Sequence, residues 1–222
     1  MASAARETRI DLGRDDCVVI PATWRTYLRL LADRGDRPRP RYIHLDGRLT
    51  IVSPGVPHEH FRCRLGGLIE EILIGLRIRF RPSGSVTLLN ARRSRQGAEA
   101  DASYYLTNLD AMIGKRKLVM GVDPPPDLAV EVVVSHSERD VLEAYRLFGV
   151  REVWVIKETG LEFLVLEGGD PSEYVPAARS GLLPFLSSEE LATWLFREDF
   201  EDEGALRLEF RAWVQETLAP RL

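Results

Sequence analysis

The sequence predicts a mixed α/β fold in which strands and helices follow one another irregularly. Three stretches carry this reading. "RYIHLDGRLTIVSP" places Asp46-Gly47 between two alternating runs, and a two-residue hairpin turn accepts that pair because both central residues need positive φ. Phe61, Leu65, Leu68, Ile69, Ile72 and Leu76 fall on one helical stripe. "PPPDLAVEVVVSHSERDVLEAYRLFGVREVWVI" reads as strand, helix, strand, with Val141, Leu142, Tyr145 and Phe148 on the helix face and Gly149 ending it. The order is hairpin, helix, several strands, helix, strands. It lacks regular βαβ alternation, which favours an α+β or mixed α/β sandwich over a doubly wound sheet or a barrel.

The remaining elements follow from local signals. Residues 1–19 read as a poorly ordered lead-in. A short helix follows Pro21, with Trp24, Tyr27, Leu28, Leu30 and Leu31 at near-helical spacing. "IRFRPSGSVTLLN" reads as two strands turning at Pro82-Ser83-Gly84, and "DASYYLTNL" as another. "LSSEELATWL" is a short helix capped by Ser187 or Ser188. The tail, with Leu206, Phe210, Trp213 and Leu218 on one side, reads as a docked helix or a homodimer contact. The expected division is a lead-in at 1–19, a domain at 20–196 and a helical extension at 197–222.

Composition narrows the function. The 222 residues are 45% apolar and 29% charged, with net charge −4. Nonspecific coating of nucleic acid is the work of basic proteins, so phosphate contacts here have to come from local patches. Cys17 and Cys63 lack zinc-ligand spacing and read as reduced thiols of a cytoplasmic protein. No apolar run approaches the roughly 20 residues a membrane span needs.

Glu131 is the anomaly: a carboxylate inside the apolar run Leu128–Val134. Such a charge needs either a route to solvent or a pairing arginine, or else a cation or catalytic partner. Asp101, at the mouth of the strand in "EADASYYL", is the candidate companion, with Glu99 two residues earlier. Two carboxylates at neighbouring strand ends supply the hard oxygen ligands that Mg²⁺ accepts while keeping several waters.

With its surroundings, this pattern resembles the Uma-two family, restriction-endonuclease-like proteins of the PD-(D/E)xK nuclease superfamily. The resemblance rests on "YIHLDGRLTIVSPGVPHEH", "AEADASYYL", "VDPPPDLAVEVVVSHSERD" and "YRLFGVREVWVI", spanning about residues 20–195. It implies a central sheet flanked by helices, with the C-terminal helix appended, and Mg²⁺-dependent endonuclease action on DNA phosphodiesters, with Mn²⁺ able to replace Mg²⁺. Asp101 and Glu131 match the family's metal-binding and catalytic carboxylates. The superfamily often adds an acid from the first helix, which gives Glu59 a supporting role behind them. The lysine that completes such sites is missing: Val133 stands at its strand position and Val141 at its helix position. Arg139 is the nearest replacement cation, although a guanidinium holds its proton too tightly for proton transfer. The alternative is a catalytically silent binding or scaffold protein on the same fold.

Two further groups bear on the site. His58 and His60 diverge by roughly 200° on a helix, so they do not share a metal easily. Arg77, Arg79 and Arg81 alternate onto one side of an expected strand as a row of phosphate contacts to DNA, with no aromatic interleaved to read bases.

Overall fold

The computed structural model describes residues 16–37, 39–90, 95–116, 118–119, 121–133, 138–198 and 202–222. The chain opens with strand β1 (Asp16–Pro21), helix α1 (Trp24–Arg34) and the hairpin β2 (Arg41–Leu45) and β3 (Arg48–Ser53). At the turn, φ is 48° at Asp46 and 76° at Gly47, so the Asp-Gly pair forms the expected left-handed turn. Helix α2 (Val56–Gly75) follows, with Pro57 in its first turn, where a missing N–H leaves no bond unmade. Strands β4 (Arg81–Pro82), β5 (Thr87–Asn90), β6 (Gln96–Glu99), β7 (Ala102–Tyr105) and β8 (Leu128–Val132) lead to α3 (Arg139–Phe148). Strands β9 (Glu152–Lys157), β10 (Gly160–Glu167) and β11 (Glu173–Ala177) precede α4 (Ser188–Leu195) and α5 (Glu203–Trp213).

The strands form two sheets, β1-β3-β2-β6-β5 and β11-β10-β9-β8-β7-β4. Among the described residues, only the β8–β9 pair is parallel, and α3 lies in the connection between them. β8 lies inside the second sheet and its side chains alternate between two cores. Leu128, Val130 and Val132 join α2, α4 and α5 in one core, which includes Leu68, Leu191 and Phe210. Ala129 faces the other way, toward Val141 and Tyr145 of α3 and toward Ile43, Ala98 and Ala100 of the first sheet. Glu131 shares that second face. α1 covers the far side of the first sheet, where Tyr27 is buried and its ring stacks on His44 at 5.4 Å.

Four sequence expectations need correction. Residues 16–19, assigned to the lead-in, belong to strand β1 (Asp16–Pro21), which runs along the whole of β3. Pro82-Ser83-Gly84 does not join a hairpin: β4 pairs with β7 and β5 with β6, in different sheets. β11 was not expected at all. The C-terminal helix is docked, but as part of the main core and not as an appendage to it. Leu206, Phe210, Val214 and Leu218 are fully buried in the main core. Arg64–Glu203 at 2.5 Å and Arg211–Glu71 at 2.7 Å fasten α5 to α2. Among the described residues, no helix is long and apolar enough to cross a membrane.

If α5 is part of the core, Phe210→Ala should cost about 3–5 kcal/mol, as expected for an aromatic removed from a packed interior. Equilibrium denaturation in urea checks this. An unchanged midpoint would mean that the helix is only laid on the surface.

Candidate active site

Asp101 sits where the chain leaves β6 of one sheet and enters β7 of the other. The neighbouring strand β8 holds it from both sides. Its N–H donates to the Val130 carbonyl at 3.1 Å, and its Oδ2 accepts the Val132 N–H at 2.8 Å. This locks the carboxylate beside Glu131, which β8 directs into the space between the sheets. Both acids are 1% exposed.

Three side chains from three other elements close around them. Arg41, at the start of β2, forms an ion pair with Asp101 Oδ1, and the same nitrogen lies 4.0 Å from Glu131 Oε2. His58, in the first turn of α2, places Nε2 3.2 Å from Asp101 Oδ2 and 3.0 Å from Arg41 Nη2. With a proton on Nε2, the ring donates to Asp101. The Tyr145 hydroxyl of α3 donates to Glu131 Oε1.

The two acids respond oppositely to this enclosure. Burial and then the charge of Asp101 push Glu131 up to about 8, against the opposing pull of Arg41 and Tyr145. Burial also opposes the charge of Asp101, but Arg41, His58 and the Val132 N–H outweigh it and hold that carboxyl below its usual value. Near neutral pH, Glu131 therefore keeps its proton while Asp101 is ionised beside Arg41. Other buried acids are satisfied differently. Asp127 accepts from the N–H groups of Leu106 and Asn108, Glu152 from Trp154 and Leu182, and Glu99 is matched by Arg34.

A family model described as "Uma2: Putative restriction endonuclease" matches residues 24–197. The chain belongs to the Uma2 family. A solved structure described as a "putative nuclease belonging to DUF820" from Anabaena variabilis ATCC 29413 is similar in fold, with TM-score 0.54 and 15% identity. The match covers 79% of this chain and all of the other. No curated protein matches the chain. The mixed α/β architecture expected from the Uma-two resemblance is therefore the observed one.

Within this Uma2 fold, the expected site residues are not all placed together. Asp101 and Glu131 converge. Glu59 does not touch them but lies behind His58, its Oε1 3.8 Å from Nδ1 of that ring, while Arg39 and Arg62 hold its two oxygens at 3.0 Å each. Glu99 belongs to the first sheet, and its oxygens are taken by Arg34, Thr87 and the Tyr42 N–H. Arg139 is exposed at the start of α3 and lines a surface cleft with Arg48, Glu143 and Tyr174, while the cation touching the carboxylates is Arg41. Arg77, Arg79 and Arg81 do not form one strand, since β4 contains only Arg81 and Pro82. Arg81 pairs opposite Tyr105, at the end of β7 away from Asp101, so that row does not flank the carboxylates. Arg79 is engaged with Asp110 at 2.8 Å. Val141 is fully buried and Val133 half-buried, so neither lysine position holds a cation.

Arg41, His58 and Tyr145 were missed as site residues. A charged residue opening the apolar strand "RYIHL" was the one visible signal. Tyr145 read only as a core position, and His58 was weighed only against His60.

The Glu131 environment sets a pH dependence. In the unfolded chain this carboxyl releases its proton near 4.5, but in the folded protein it does so at about 8. Between those values the unfolded state binds fewer protons, so stability falls as pH rises, by on the order of 1.4 kcal/mol per pH unit at most. The contribution is complete below the usual carboxyl value and gone above about 8. Asp101 acts in the opposite sense, but below this window. Glu131→Gln should therefore flatten the decline in melting temperature from about pH 5 to about pH 8 and be relatively stabilising at the upper end. Parallel profiles for variant and wild type would show that Glu131 titrates like an exposed acid.

Proposed function

We propose that this Uma2 protein is a divalent-metal-dependent DNA endonuclease whose centre is Asp101 and Glu131. The observation that carries the reading is the convergence of these two carboxylates at neighbouring strand ends, in a chain of a restriction-endonuclease family. Their chemistry fits Mg²⁺ or Mn²⁺: hard oxygen donors, few in number, with water left to complete the shell. Burial and then the charge of Asp101 keep a proton on Glu131, and a bound dication would offset that charge. When bound, such an ion acidifies a water and offsets charge on the phosphate.

The chain's own groups then have separable tasks. Val132 N–H and His58 fix the orientation of Asp101. Tyr145 fixes Glu131. Arg41 is the cation beside the pair where the lysine is missing, and it holds its proton too tightly to pass one on. One observation favours a second reading, a catalytically silent DNA-binding protein. The helix position of the lysine is an apolar residue in a closed core, so the loss is built into the packing.

Nicking of supercoiled plasmid separates the two. The nuclease reading expects slow cleavage that requires Mn²⁺ or Mg²⁺ and disappears in Asp101→Asn. Val141 lies one helical turn before Tyr145 on the same face, so a lysine there would be directed toward Glu131. Val141→Lys should raise cleavage by about 10- to 100-fold, the scale of one well-placed electrostatic group. It should also cost about 1–3 kcal/mol in stability from the lost apolar contact. A Val141→Lys protein that folds, binds DNA and remains inert would favour the silent reading.

A further inference from the structure

We infer that Arg41 and a divalent cation compete for the same place between Asp101 and Glu131, so that metal is held only after the guanidinium withdraws. The inference rests on the reading of those two carboxylates as the metal ligands. Arg41 Nη1 stands between the two carboxylates: it contacts Asp101 Oδ1 and lies 4.0 Å from Glu131 Oε2. The side chain is not an outer neighbour of the site. It is 6% exposed and fills the gap between the two sheets. A guanidinium and a dication at that separation repel strongly in a buried setting, so joint occupancy is disfavoured.

The hold on Arg41 is also incomplete. Its Nη2 meets His58 Nε2, a nitrogen that satisfies Asp101 only by donating its own proton and then has no lone pair for Arg41. Its Nε is buried with no acceptor among the described residues. An unmade bond of this kind weakens the closed arrangement relative to one in which the head group reaches water or an anion. Arg41 is therefore a counter-ion suited to exchange. Metal affinity should be reduced by the fraction of molecules in which it still occupies the site.

Calorimetric titration with Mn²⁺ alone, without nucleic acid, tests this on the full chain. Arg41→Met keeps the length of the side chain and removes the charge. It should bind Mn²⁺ about tenfold more tightly than wild type or better. Adding Asp101→Asn to it should abolish binding. Equal affinity in wild type and Arg41→Met, lost in both with Asp101→Asn, would leave the ligand assignment standing and overturn the competition. No binding by a folded Arg41→Met protein would overturn the ligand assignment, and the competition with it. Should Arg41→Met fail to fold, wild-type protein labelled with ¹⁵N-arginine decides the matter. The Arg41 Nε–H resonance should move along the Mg²⁺ saturation curve, and a site that saturates while that resonance stays fixed contradicts the inference.

Discussion

The pairing of two buried carboxylates, Asp101 and Glu131, around a single guanidinium is the constraint that organises the centre of this molecule. Each participant comes from a different part of the fold. Arg41 opens a strand of the first sheet, Asp101 marks the crossing between sheets, and Glu131 is in the second. α2 contributes His58 from one side and α3 contributes Tyr145 from the other. The two sheets and both helices must therefore be in place before the charges are balanced. Other buried acids meet backbone or indole N–H donors, or a single lysine or arginine. Only here, among the described residues, do two buried acids share their surroundings so closely that one retains a proton.

Stability is a poor reason to keep such a cluster. Replacing a buried ionic group by well-packed apolar residues is often neutral or favourable by about 1–4 kcal/mol, whereas deleting one partner costs about 3–5 kcal/mol. The surrounding core has no shortage of apolar contact: Ala129, Val141, Val153 and Val155 are all buried on the same face. A cluster that the fold could replace with valine and leucine, in a chain of the Uma2 family, supports the proposed role as a reactive centre. Val133 and Val141 pull the other way, because that replacement has already happened where a lysine would complete the site.

How much of this could be read from sequence depended on whether the signal was local. The Asp-Gly turn, the stripe of α2, the Gly149 stop of α3 and the Ser187 cap are local, and the structure has them where expected. Elements defined by pairing were harder. β1 is a strand because β3 lies beside it, β4 and β5 part because each finds a partner in a different sheet, and the tail helix is core because α2 is complementary to it. The site divides in the same way. Asp101 and Glu131 stood out as acids at strand positions. Arg41 and His58 meet Asp101 from 60 and 43 positions earlier in the chain, a contact no periodicity reveals. Arg139, close to Glu131 in sequence, lies on the surface because α3 begins by directing it outward.

Arg41 and Asp101 are directly coupled inside the fold. A double-mutant cycle measures that coupling without reference to metal or DNA. Unfolding free energies of wild type, Arg41→Met, Asp101→Asn and the double variant should yield an interaction energy of about 2–3 kcal/mol, the range of contacting buried groups. Additivity within about 0.5 kcal/mol would contradict the account, because the two side chains would then not share a buried site.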